Sequence, residues 1–225
     1  MSNVGFRIFE VKNRPSKELV EAFAGLPVAN IADEMNRLYC VNARIKPVNN
    51  VPLLGTAFTV KARVADNLMI HKAIDMAQPG EIIVVDVQGD LSNAVTGEIM
   101  IRQAMKKGIS GVIIDGAIRD LEALQKLPIP VYAAGVQPNG PYKDGPGEIN
   151  VPICCGGIVV KPGDILVGDA DGIVVIGPQD APEILEKAKE KFAQEQEKFK
   201  AIEDGTMDRS WVDKSLEKLG CEIVK

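Results

Sequence analysis

Aromatic side chains supply only 4% of the 225 residues, so a buried core must be built from Val, Ile, Leu and Ala, which make up most of the 46% hydrophobic fraction. Histidine occurs once, as His71, in an amphipathic helical stretch that gives it a structural or surface role. The four cysteines, Cys40, Cys154, Cys155 and Cys221, include one adjacent pair and no Cys-x-x-Cys, which speaks against a zinc site, a redox motif or a disulfide framework. Cys154 and Cys155 read as small residues of an apolar strand before Gly156-Gly157. No basic block exists: 26 Lys and Arg stand against 31 Asp and Glu, for a net charge of -5, which argues against a nucleic-acid partner. No charge-free run is long enough to span a bilayer, and the opening MSNVGFRIFEVKNRPSKELVEAF lacks an apolar h-region, so a cytoplasmic location is expected.

What is there alternates between helical and strand periodicity. Apolar residues from Lys17 to Leu38 recur at helical spacing, broken at Gly25 and Pro27, and predict two short helices in an opening arm over 1–40. Gly55 to Val64 reads as a strand, and Asn67 to Ala77 as a helix ended by Pro79-Gly80. The apolar runs Glu81–Asp86 and Gly111–Asp115 flank a helical segment over Asn93–Lys107, a crossover unit with buried strands. A short helix at Leu121–Gln125 leads to a strand at Ile129–Ala134, then to a turn-rich loop, Pro138–Gly147. Three short strands, Gly157–Val160, Asp164–Val167 and Gly172–Ile176, form a meander whose Asp169-Ala-Asp-Gly172 connection is a turn, not a calcium loop. Charged helices over Gln179–Asp204 and Ser210–Leu219 end the chain within a 178–225 tail, packed either on their own sheet or across a neighbouring subunit. One α/β domain over 1–225, with mixed sheets and a long C-terminal helix, is the expected architecture.

Two stretches carry chemistry. Gly97-Glu98-Ile99-Met100 opens a helix whose free N–H groups and dipole could hold a carboxylate, although an ordinary capped helix has the same pattern. At the exit of the next strand, Asp115-Gly116 allows a sharp turn that leaves Arg119 and Asp120 at the carboxyl end of a buried strand, where open α/β sheets place ligands. A carboxylate there can hold Mg²⁺ or Mn²⁺ and a guanidinium can brace an enolate, or the pair is a helix cap with its surface partner. Asp33 and Asp86 are weaker candidates. No lysine context suggests a Schiff base, so a metal is the more economical electron sink for enolate chemistry.

Gly97-Glu98-Ile, Asp115-Gly-Ala-Ile-Arg-Asp120 and the order of segments from Pro27–Asp33 through Gly172–Ile176 resemble the family of 4-hydroxy-4-methyl-2-oxoglutarate aldolases. That family includes the regulator of ribonuclease activity A proteins and was long labelled demethylmenaquinone methyltransferase. The resemblance implies a swivelling β/β/α layering and a trimer or dimer of trimers with sites between subunits. It also implies a lyase that cleaves a 4-hydroxy-2-oxo acid to pyruvate and decarboxylates oxaloacetate as a side activity. Asp120 would then anchor Mg²⁺ (or Mn²⁺), Arg119 would stabilise the enolate oxygen, and Gly97, Glu98, Ile99 and Met100 would bind the pyruvoyl carboxylate through their backbone. Glu98 would sit in the metal's outer shell, and an acid near Glu195 or Glu197 would come from the adjacent subunit. The competing reading is a non-catalytic ribonuclease regulator, but that branch is shorter and typically lacks the acid at Asp120. A methyltransferase would need a Gly-rich loop that Asp86-Val-Gln-Gly89 does not provide.

Overall fold

The computed structural model describes residues 2–222 and 224. Contacts divide the chain into two compact units, one through Ala188 and one from Lys189 on. The first unit opens with strand β1 (Phe6–Ile8) and helices α1 (Lys17–Glu21) and α2 (Val28–Glu34). Next come β2 (Lys46–Pro47), β3 (Leu53–Ala62), α3 (Leu68–Met76), β4 (Glu81–Asp86), β5 (Ala94–Thr96), α4 (Glu98–Lys106), β6 (Gly111–Ile118) and α5 (Leu121–Leu124). The remaining strands are β7 (Val131–Val136), β8 (Gly147–Ile149), β9 (Ile153–Cys155), β10 (Ile158–Val160), β11 (Ile165–Gly168) and β12 (Ile173–Ile176). Helix α6 (Ala181–Glu203) starts in the first unit, and α7 (Ser210–Lys218) lies in the second.

The large mixed sheet runs β1-β8-β3-β4-β6-β7-β2, with β11 on β3, β12 on β11 and β5 on β6; β9 and β10 form a separate hairpin. Parallel β3, β4, β6 and β7 are its centre. Their apolar runs are continuous because both faces are covered. On β4, Ile83 and Val85 face a core shared with Ile70, Ala73 and Ile101 of α3 and α4. Ile82 and Val84 face the opposite core, with Tyr132, Ile153, Val160 and Val175. A third cluster joins Phe23 and Ile31 to Ile165, Val174, Ile176 and the first turns of α6, through Ile184, Leu185 and Ala188.

Several boundaries differ from the sequence reading. The helix expected from Asn93 begins only at Glu98, because Ala94–Thr96 extends and pairs with the end of β6. β6 does not turn at Asp115-Gly116: it runs on to Ile118 through an irregularity in its pairing with β7 between Ile114 and Ala117. Gly116 is needed for close approach, since a side chain there would collide with Val87 and the Asp90 carbonyl. The opening arm contains β1 as well as its two helices. Asp169 behaves as a turn residue, accepting from the Asp171 amide and, across space, from the first amide of α2 at Val28.

Candidate active site

β5 and β6 end side by side. The Arg119 amide donates to the Thr96 carbonyl at 3.0 Å, so Gly97 and the Arg119-Asp120 pair leave the sheet together. Asp120 turns the chain with φ 62° and ψ 37°, a left-handed conformation that aspartate tolerates better than most residues. The turn takes its carboxylate away from α5, which has no side-chain cap; Asp120 Oδ2 instead accepts from the Glu98 amide at 2.9 Å. The alternative of a cap for the following helix is thereby corrected: Asp120 caps α4, from the other side of the cleft.

Gly97 makes this possible. It is the N-cap residue of α4, and a Cβ on it would fall 2.5 Å from Asp120 Oδ2 and 3.0 Å from Arg119 Cγ. Gly140 lies close to the end of the same side chain, where a Cβ would stand 3.2 Å from Arg119 Nη1. The Arg119 side chain thus lies close to two glycines, with Nε 3.9 Å from Asp120 Oδ2 and the side chains of Arg119 and Asp120 both a little under half exposed. With the Glu98 amide engaged, the amides of Ile99 and Met100 are left in the first turn, where no carbonyl four residues back can serve them. They point the positive end of the α4 dipole at the cleft.

Gly97, Ile99, Met100, Arg119 and Asp120 line one small cavity together with Thr96, Asn67 and Pro141. The sequence reading did not single out Asn67 beyond a helix start. Its Nδ2 donates to the Val95 carbonyl and the Met100 sulfur, while its buried Oδ1 has no donor among the described residues. That acceptor belongs to a residue lining the same cavity as Arg119 and the first-turn amides, so it adds an unmet polar atom to the site. The remaining candidates make their own contacts. The Glu98 carboxylate is held by Arg102 at 2.7 Å, one turn along α4. Asp33 pairs with Arg37. Asp86 is buried beside Asp115 in the strand register, accepting from the Gln88 amide, and Asp115 is clamped by Arg44. Glu195 lies on α6 within the second unit. His71 is half-buried, and burial together with Lys143 lowers its pKa. A larger hollow beside Arg14 and Glu81 lies at the opposite ends of β3 and β4, and its Arg14–Glu81 pair is already made.

No group of three or more His, Cys, Asp and Glu side chains converges as a metal cage among the described residues. Asp120 instead offers one partly solvent-facing carboxylate, which the absence of a side chain on Gly97 lets lie against the start of α4. One carboxylate completed by water and substrate oxygens is a donor set that Mg²⁺ or Mn²⁺ accepts, so the residues present fit such a cation.

A family profile described as RraA-like, Aldolase/RraA, matches residues 28–175. A protein of Halalkalibacterium halodurans named, provisionally, as 4-hydroxy-4-methyl-2-oxoglutarate aldolase is 38% identical over 88% of this chain and 96% of its own length. An uncharacterized protein from Pseudomonas syringae superposes with a TM-score of 0.78 at 26% identity, over 87% of this chain and 97% of the other. A Streptomyces coelicolor structure, described as an unusual member of the RNase ES inhibitor RraA protein family, superposes with a TM-score of 0.74 at 26% identity, over 82% and 97% of the two chains.

Proposed function

This chain belongs to the RraA-like family, and from that premise we propose that it is a divalent-cation-dependent carbon–carbon lyase acting on a 4-hydroxy-2-oxo acid of the 4-hydroxy-4-methyl-2-oxoglutarate type. The observation that carries this reading is the convergence of Arg119 and Asp120 on the open start of α4. Pyruvate is one product, and oxaloacetate decarboxylation follows as a side activity because both reactions pass through the same enolate.

The amides of Ile99 and Met100 bind the C1 carboxylate, which places the 2-oxo group over the cleft. The guanidinium of Arg119 stands where negative charge grows on the C2 oxygen as C3–C4 breaks, and it stabilises the enolate more than the ketone. Asp120, oriented by the Glu98 amide, would hold Mg²⁺ or Mn²⁺, whose Lewis acidity withdraws electrons from the 2-oxo acid. Glu98 supports that region from α4, and Glu195 of a neighbouring copy would supply a further acid. The assembly is then a homotrimer or dimer of trimers, working in the cytoplasm as one functional domain over 1–225.

Pyruvate release from 4-hydroxy-4-methyl-2-oxoglutarate and from oxaloacetate tests the reading, with magnesium, with chelator and with Arg119→Ala. Turnover that requires the cation and falls on the order of 10²-fold or more for both substrates in the variant is the expected result. Full activity of Arg119→Ala on either substrate would overturn the scheme. Absence of turnover by folded, magnesium-loaded protein would favour the second reading, a non-catalytic ribonuclease-regulating protein, for which the Streptomyces coelicolor neighbour's description is the supporting observation.

A further inference from the structure

The segment 137–146 between β7 and β8 has no regular structure, yet it forms a wall of the catalytic cavity through Pro141 and holds Gly140 against Arg119. It is fastened at both ends: the Gln137 amide donates to the Ile118 carbonyl, and Arg63 donates through its amide to the Pro146 carbonyl and through Nη1 to the Gly145 carbonyl. Toward β5, Asn93 Nδ2 donates to the Gly140 carbonyl at 2.6 Å and the Ala94 amide to the Asn139 carbonyl at 2.8 Å. Toward α3, the fastening is a buried carboxylate. Asp66, 1% exposed, accepts at Oδ2 from the amides of Asp144 (2.7 Å) and Gly145 (2.9 Å), and at Oδ1 from the amide of Leu68 (2.9 Å). Beside it the Tyr142 amide donates to the Ala65 carbonyl and the Asn67 amide to the Tyr142 carbonyl.

Burying a carboxylate is costly unless its lone pairs are met, and these are met by three main-chain amides from two segments distant in sequence. If the loop moves away, two of those bonds are lost and a charge is left in a poor environment. The clasp therefore has one well-defined closed geometry. In that geometry Gly140 limits where the Arg119 guanidinium can lie.

We propose that Asp66 is a positioning residue of the active site: by clasping Asp144 and Gly145 to the start of α3, it holds the 138–146 loop against Arg119 and so sets the cavity wall over the substrate. The inference rests on the lyase reading for its catalytic half only. The clasp itself is a statement about the loop and can be read without any turnover.

Three variants test it: Asp66→Ala, which removes all three acceptor contacts; Asp66→Asn, which keeps one acceptor oxygen; and Gly140→Ala, which crowds Arg119 without touching Asp66. Lys143 is exposed within the loop, so the rate of tryptic cleavage after Lys143 reports loop opening. Expected for Asp66→Ala is cleavage faster by about tenfold or more, with KM raised about tenfold and kcat changed less, while far-UV circular dichroism stays as in the parent. Asp66→Asn should lie between, and Gly140→Ala should raise KM without faster cleavage. Parent-like cleavage in Asp66→Ala, or a loosened loop with parent-like KM, overturns the proposal. If Asp66→Ala does not fold, the same two readouts on Asp66→Asn decide. A parent protein that turns over neither substrate defeats the lyase reading and the catalytic half with it, whereas Lys143 cleavage still decides whether the clasp exists.

Discussion

Asp120 Oδ2 accepts the Glu98 amide while its side chain remains 42% exposed, so one carboxylate caps a helix and still faces the cleft. The two roles separate by substitution. Asp120→Asn keeps an acceptor for the amide and should be within about 0.5 kcal/mol of the parent in stability, yet it loses the charge that the proposed cation needs and should be inactive. Asp120→Ala should be equally inactive and additionally less stable by about 1 kcal/mol, measured by urea unfolding. At this scale the sequence was legible where residue type and position coincide. A Gly-Glu helix start and an Arg-Asp pair after an apolar strand announce themselves, and the fold brings them together. Asn67 and Asp66 did not, because their significance lies in hydrogen bonds to Val95, Asp144 and Gly145, tens of residues away, for which no local pattern exists.

At the scale of elements, two helices receive their first-turn acceptor from a distant aspartate: α4 from Asp120 and α2 from Asp169. A helix capped in this way is locked to the segment that caps it, so the start of α4 cannot move without Asp120. Gly97→Ala tests that lock. Its backbone, at φ -161° and ψ -169°, is extended and open to any residue. The new methyl group, however, would need the space of Asp120 Oδ2 and Arg119 Cγ, and both must shift. A fall in kcat/KM of roughly 10²-fold with the fold intact is expected from such a displacement; unchanged kinetics would show that the two sides of the cleft are not coupled. The long apolar strands β4 and β6 were readable because burial on both faces imposes a continuous run. The two- and three-residue strands β1, β2 and β5 were not, since so few residues show no period and their pairing depends on neighbours contributed from elsewhere.

For the molecule as a whole, the second unit is where an oligomer would show itself. Phe199, Ile202, Trp211, Leu216 and Leu219 are all exposed in the isolated chain, and Trp211 is the only tryptophan. If the tail packs on a neighbouring copy, dilution should shift Trp211 emission to the red in step with falling mass by light scattering. Emission independent of concentration, with a monomeric mass throughout, would count against the proposed assembly. Periodicity showed that tail to be helical but left its partner open, because a sparse apolar stripe suits a sheet of the same chain and a surface of another equally. Among the described residues no helix is long and apolar enough to cross a membrane.

β3 has its two edges occupied very unequally in sequence: β4 on one side follows it closely, whereas β8 and β11 share the other and arrive much later. During synthesis at the ribosome, β11 emerges roughly a hundred residues after β3, which at 5–20 residues per second is a wait of about 5–20 seconds. Throughout that interval the nascent chain presents the bare edge of one of its central strands, in which leucine, threonine, alanine, phenylalanine and valine predominate, to every other chain being made nearby. The vulnerable period in the life of this protein is therefore its birth, and the yield of soluble product depends on how fast translation reaches the end of the β11–β12 ribbon.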